Sequence, residues 1–305
     1  MWTLCGVALK SEHLGMTLTD LPSSVGFAFC GGDIRITLPD EAATQNMQTD
    51  NAAFEGWSTI LHTISGKNII LDIASDDWDK NAGKNPGHYN RFLYRLMKFS
   101  ASYSFVTLSG RLQKHIGCLY VDNAYVPISD LNLVVNRPKK EAGSNEKNEI
   151  RQEEGFASKP EKLLAATRKL LGVDLIDSVY RQLPVGIFRE SSKEENSVFT
   201  GKASAIDLWS LTKARDGIVI YELKYGNNRK VGIISELFFY ANLVYDIYGS
   251  DPNFGIDKSL TDIKRGYNKL LGLKKLDRIY VIFLTMGLHP AITPDVIKSI
   301  NTPFI

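Results

Sequence analysis

Short apolar runs alternate with polar punctuation along this chain, and the punctuation divides it. In the first part, DIRITLP (33–39) and KNIILDIA (67–74) are rich in β-branched residues and predict strands. NRFLYRLMKFSASYSFV (90–106) repeats large apolar residues at helical spacing. GCLYVDNAYVPI (117–128) predicts a strand pair turning at Asp122–Asn123. The stretch 137–158 then carries charge, Pro and Gly with few large apolar residues, and reads as a linker or long loop. An α+β N-terminal domain over 1–136 and a second domain over 159–305 are the expected division.

The second part has a more regular order. KPEKLLAATRKLLG (159–172) predicts a helix, with Pro160 in its first turn and Gly172 at its end. Its apolar stripe is Leu163, Leu164, Thr167, Leu170 and Leu171. LPVGIF (183–188), ASAIDLWSL (203–211) and GIVIYELK (217–224) predict three strands, the last two joined as an antiparallel hairpin through Arg215–Asp216–Gly217. KVGIISELFFYANLVYDIY (230–248) predicts a long apolar helix, and KSLTDIKRGYNKLLGL (258–273) a basic amphipathic one. RIYVIFLT (278–285) predicts a fully buried strand.

Composition narrows the function classes only a little. With 305 residues and 44% hydrophobic content the chain can bury a real core. Its net charge is +2, so it is no polycation. Residues 1–150 hold 14 Lys and Arg against 16 Asp and Glu, while 151–305 hold 22 against 18. The mild basic excess therefore sits in the second part, and it permits a polyanionic partner. Cys5, Cys30 and Cys118 are scattered, with no zinc spacing, which suggests a reducing compartment. No window approaches the ~18 apolar residues of a membrane span. The expectation is a soluble cytoplasmic protein with no membrane partner.

One stretch, AIDLWSLTKARDGIVIYELK (205–224), places charge where buried strands should have none. Glu222 and Lys224 lie two apart and face the same way, roughly 6–7 Å apart along the strand. Asp207 lies on the neighbouring strand. Two converging carboxylates repel unless a cation sits between them. Oxygen ligands without Cys or His suit Mg²⁺ or Mn²⁺. A lysine beside such an ion can orient water or stabilise charge on a phosphate. As simpler readings, strands often end in charges, and Lys224 can neutralise two acids without any ion.

In residue type, order and expected element, Asp207, Glu222 and Lys224 resemble the signature of the PD-(D/E)XK nuclease superfamily, the restriction-endonuclease-like fold. The resemblance covers about residues 159–289 and implies an αβββαβ core. It implies metal-dependent hydrolysis of DNA, with Asp207 and Glu222 holding Mg²⁺ or Mn²⁺ and the Leu223 carbonyl as a further ligand. Lys224 would position the attacking water. The residue before the Asp is not the Pro common in the superfamily. An acid on the first helix is matched by Glu161, with Glu190 as its rival. The Gln-x-x-x-Tyr helix of the RecB-type branch is matched by Glu236 and Tyr240, with Glu in place of Gln. Restriction or phage defence follows by analogy alone. RNA as substrate and a homodimer stay open, as does a silent scaffold that has kept the fold.

Nucleic-acid contacts are expected from Arg229 and Lys230, just after the proposed site, and from Lys264, Arg265 and Lys269. Lys258, Lys274, Lys275 and Arg278 extend this basic run, and a solvated helix face would look the same. The five histidines are isolated and read as structural or surface residues. Asp72, Asp76, Asp77 and Asp79 form an acidic cluster, read as a solvated loop before a second ion site.

Overall fold

The computed structural model describes residues 21–135, 147–191, 193–199, 204–224, 230–249, 254–256, 265–271, 273, 276–285 and 287–301. The chain is mixed α/β. Its contacts gather into two compact units. One takes Met1–Asp130, Arg229–Phe238 and Leu288–Ile305, and the other takes Leu131–Asn228 and Phe239–Gly287.

The first unit starts with strands β1 (Gly26–Cys30) and β2 (Asp33–Leu38), helix α1 (Phe54–Ser65) and strand β3 (Ile69–Ile73). Helix α2 (Pro86–Ser102), strand β4 (Val106–Leu108) and the short helix α3 (Gly110–Gln113) follow. The sheet runs in the order β1-β2-β3-β4, with β1 antiparallel and the others parallel. Each parallel step is made by a helix, as parallel pairing requires. Strands β5 (Cys118–Val121) and β6 (Ala124–Pro127) form the expected hairpin. Asp122 and Asn123 both take positive φ, 50° and 64°, the twist that a two-residue hairpin turn favours.

The expected helix at 90–106 begins earlier, at Pro86, and ends at Ser102. Proline suits the first helical position because its missing N–H has no partner there anyway. Cys30, which closes β1, is disulfide-bonded, where the scattered cysteines led us to expect free thiols. Cys118 is free. Helix α8 (Pro294–Ile300) closes the unit, capped by the Thr293 hydroxyl, which accepts from the Val296 N–H.

The second unit opens with β7 (Leu133–Val135) and helix α4 (Lys147–Ser158), then α5 (Glu161–Leu171). Strands β8 (Tyr180–Pro184), β9 (Ile187–Arg189), β10 (Ala205–Leu211) and β11 (Gly217–Lys224) come next. Helix α6 (Gly232–Tyr248), which counts with the first unit up to Phe238 and with the second from Phe239, the short α7 (Tyr267–Leu270) and strand β12 (Arg278–Thr285) complete the order. The sheet runs β12-β11-β10-β8. Strands β8, β10 and β11 pair antiparallel, and β11 pairs parallel with β12 through the α6 crossover. Strand β9 leaves this sheet and pairs with β7 instead.

Four expectations need correction here. The linker or loop at 137–158 carries α4. This helix buries only a narrow stripe: Glu153 is 4% exposed, and Phe156 packs on the core beneath α5. The single strand at 183–188 is two strands parted at Val185–Gly186. Strand β12 is half-buried along its length rather than fully buried, because it lies at the edge of the described sheet. Leu170 stands 72% exposed, so the stripe of α5 is Leu163, Leu164 and Thr167, with Leu171 half-buried against the same core. Half of the expected helix at 258–273 lies outside the described residues, and in the described half only Tyr267–Leu270 is helical, because Gly266 before it takes φ of 75°. Among the described residues, no helix is long and apolar enough to cross a membrane.

Candidate active site

Helix α5 packs on one face of the β12-β11-β10-β8 sheet. Its Leu163 and Leu164 share a core with Leu208, Val219 and Tyr221, with Tyr280, Ile282 and Leu284 packed alongside. Side chains alternate across a sheet. Asp207, Glu222 and Lys224 therefore belong to the opposite face, with Trp209, Ile220 and Phe283. The hairpin register agrees with this placement: its last pair is Leu208 with Tyr221, which leaves Asp207 and Glu222 each one residue past it on the two strands.

The register does more than juxtapose the acids. Ladder pairing between β10 and β11 stops at Leu208–Tyr221, one residue short of them. Beyond that point the Asp207 carboxylate takes over, and its Oδ2 accepts the Leu223 N–H at 2.8 Å. The Lys224 Nζ donates to Glu222 Oε1 at 2.9 Å. Glu222 and Leu223 are buried, at 5% and 4% exposure, while Asp207 and Lys224 are half-buried. Asp207 is thus less enclosed than its neighbours in sequence imply, since Ile206 and Leu208 point to the other face.

The donor chemistry suits a hard divalent ion: carboxylates on two neighbouring strands, and a backbone carbonyl between Glu222 and Lys224. An ion held there would compete with Lys224 for Glu222. Among the described residues, no group of three or more His, Cys, Asp or Glu side chains gathers around a common point.

Glu161 stands apart from this trio. It is exposed in the first turn of α5, the helix that covers the far face. It borders a cleft of about 550 Å³ with Asp177, Tyr180, Arg181 and Arg265. Its rival Glu190 is exposed after β9, with φ of 56°. Glu236 is 4% exposed, and its Oε1 accepts from Gln48 Nε2 at 2.5 Å within the first unit. Tyr240, one turn later, is half-buried beside Phe239 in the second. The two share a helix, Glu236 in the part that counts with the first unit and Tyr240 in the part that counts with the second.

Among the expected cationic residues, Lys230 is exposed just before α6, Arg265 borders the cleft, and Lys269 is half-buried in α7. Arg278 opens β12 exposed, and its hydrogen bond to Tyr280 raises its pKa further. Arg229, Lys258, Lys264, Lys274 and Lys275 lie outside the described residues.

Among the described histidines, His62, His88 and His115 have ring or charge contacts that fit a structural reading, and His13 lies outside the described residues. His62 stacks on Phe105 at 3.8 Å, and His115 on Tyr125 at 3.5 Å. Burial and the Arg91 guanidinium push His88 down to about 4. The acidic cluster is a solvated loop only in part: Asp76 and Asp77 are exposed, whereas Asp72 and Asp79 are enclosed. Asp72 pairs with Arg35 at 2.6 Å, Asp76 with Arg111 at 2.7 Å, Asp77 with Lys80 at 2.7 Å, and Asp79 with Lys114 and His115 at 2.6 and 2.8 Å.

Two residues beside the trio escaped sequence reasoning. Gln182 sits on β8 across from Asp207 with φ of 60°, and its carbonyl accepts from the Tyr267 hydroxyl at 2.6 Å. Nothing in a glutamine announces a left-handed backbone. The Gly266–Tyr267 turn was the available signal, and it was absorbed into the basic helix.

Compared with known proteins, the chain matches no family model, no curated protein and no solved structure.

Proposed function

We propose that the second unit is a metal-dependent nuclease domain of the restriction-endonuclease-like type, acting on DNA. The observation that carries this is the pair of contacts around Leu223: the Asp207 carboxylate accepts the Leu223 N–H across the hairpin, and Lys224 donates to Glu222 on the same strand. The element order from α5 through β8, β10, β11, α6 and β12 supports the αβββαβ reading. Asp207, Glu222 and the Leu223 carbonyl would hold Mg²⁺ or Mn²⁺. Such an ion supplies charge to a phosphate and lowers the pKa of bound water. Lys224 would leave Glu222 when the acids hold the ion, and would then donate to the attacking water or a phosphate oxygen. Arg265, Lys269 and Lys230, with Arg229 and Lys264, would hold the DNA backbone. The first unit would recognise DNA, a partner or a second copy of the chain. A place in restriction or phage defence belongs to the same proposal, as does RNA as a second substrate class.

One observation favours a second reading. Lys224 already pairs with Glu222, and Asp207 already holds the Leu223 N–H, so the trio meets part of its electrostatic demand from within. A silent scaffold that binds nucleic acid without cutting it would keep this arrangement.

Plasmid, linear and single-stranded DNA, and RNA, incubated with Mg²⁺, Mn²⁺ or EDTA separate the readings. The nuclease reading expects metal-dependent cutting by the natural chain and none by Lys224→Ala. Equal cutting by both would overturn the assignment of the site.

A further inference from the structure

The cleft beside Glu161 lies apart from the trio, and its walls carry charges of both signs. Its volume of about 550 Å³ falls within the range of small-ligand sites. Strand β8 forms one wall at Tyr180 and Arg181, and the start of α5 forms another at Pro160 and Glu161. Two guanidiniums, of Arg181 and Arg265, and two carboxylates, of Glu161 and Asp177, border it. A purely anionic ligand would meet both acids, and a purely cationic one both arginines. The walls suit a ligand with an anion at one end and hydrogen-bond donors at the other.

These walls are set before any ligand arrives. Arg181 Nε donates to Glu153 Oε2 at 3.1 Å and its Nη1 to Glu154 Oε1 at 3.3 Å. Arg168 holds Asp177 at 2.6 Å. Gly266, at φ of 75°, lies so close to Tyr180 that a Cβ would come within 2.5 Å of the ring, which fixes the chain next to Arg265. Helix α5 reaches the cleft with its N-terminal end, where first-turn N–H groups and the helix dipole favour an anion. Groups already held in place lose little freedom on binding.

We propose that the cleft binds one nucleotide of a single-stranded segment. Its phosphate meets Arg265, Arg181 and the N-terminus of α5, and the amino group of its base meets Glu161 and Asp177. Carboxylates accept from the cytosine N4 amino group, whereas thymine presents the O4 acceptor at the same place. The Tyr180 ring packs between Gly266 and Trp209, so the base is read at its edge rather than by stacking. Tyr180 pairs with Trp209, two residues along β10 from Asp207, so the backbones at Tyr180 and Asp207 are roughly 8 Å apart by strand spacing. A strand gripped in the cleft therefore runs on towards the trio. This deepens the nuclease reading by naming what the domain grips beside the cut, and rests on that reading for this role alone.

The test is an NMR titration of dCMP, dTMP and inorganic phosphate into the isotope-labelled chain in EDTA, with Arg265→Gln and Glu161→Ala in parallel. The natural chain should bind dCMP saturably, with shifts at the Glu161, Ser178 and Tyr180 amides, and about tenfold more tightly than dTMP, the effect of one hydrogen bond to a charged group. Arg265→Gln should weaken both nucleotides about tenfold. Glu161→Ala should bring dCMP and dTMP to within a few-fold of each other. Should Arg265→Gln fail to fold, Glu161→Ala, at an exposed position, still decides. Absence of saturable shifts at the cleft, equal affinity for dCMP and dTMP in the natural chain, or phosphate binding as tightly as dCMP would overturn the proposal. Because no metal is present, dCMP binding by a chain that cuts no substrate keeps the cleft and refutes the nuclease reading. Cutting by a chain that binds no dCMP refutes the cleft alone.

Discussion

Two groups of acids in this chain look alike in sequence and differ in what surrounds them. In the first unit, Asp72, Asp76 and Asp79 each meet a cation from a distant element: Arg35, Arg111, Lys114 or His115. In the second, Asp207 and Glu222 lie on the two strands of one hairpin; the Asp207 carboxylate accepts the Leu223 N–H, and Lys224, from the strand of Glu222, donates to Glu222. Counting carboxylates does not separate a structural cluster from a candidate ion site. The origin of their contacts sets the two apart: the first group is tied to side chains from distant elements, the second to groups of its own hairpin.

The largest expected contrast is in catalysis. Lys224→Ala or Asp207→Ala should lower metal-dependent DNA cleavage by roughly 10²–10⁴-fold, with circular dichroism unchanged. Asp72→Ala should leave cleavage within a few-fold of the natural chain. Next comes ligand-linked stability. At a hundred times its dissociation constant an ion adds about 2.7 kcal/mol to the folded state. Differential scanning fluorimetry should show that gain in the natural chain and in Asp72→Ala, and not in Asp207→Ala. In the absence of metal the order reverses. Asp72→Ala leaves Arg35 and Arg111 without their shared carboxylate, and should lower unfolding stability by about 2–3 kcal/mol in urea titrations.

The smallest effect is in acid. Burial pushes the Asp79 carboxyl up, but hydrogen bonds from Lys114 and His115 outweigh it and hold the group below its ordinary value of 3.8. Its contribution is thus present above 3.8 and fades as pH falls through the lower folded value. Asp79→Asn should flatten the stability profile just below that pH and leave the metal response intact.

Much of this comparison was legible in the sequence. The hairpin around Arg215–Asp216–Gly217, the alternation that puts Glu222 with Lys224, and the helix from Pro160 to Gly172 all rest on local signals, and all three are present. Non-local signals were missed. Helix α4 looked like a solvated linker because its charge hid a stripe narrow enough to need only Glu153 and Phe156. The contact of Glu236 with Gln48 left no mark in the sequence because the two lie 188 residues apart. The acids of the first unit looked solvated because their cations come from β2 and α3. Gln182 shows the same limit, since a strained backbone is imposed by its neighbours and leaves no mark in residue type.

The central claim is that Asp207 and Glu222 together hold a divalent ion. Calorimetric titration of Mn²⁺ into the natural chain and into Asp207→Ala tests it most directly. The account predicts saturable binding at one site in the natural chain and its loss in the variant. Absence of binding, or equal binding by both proteins, would contradict it.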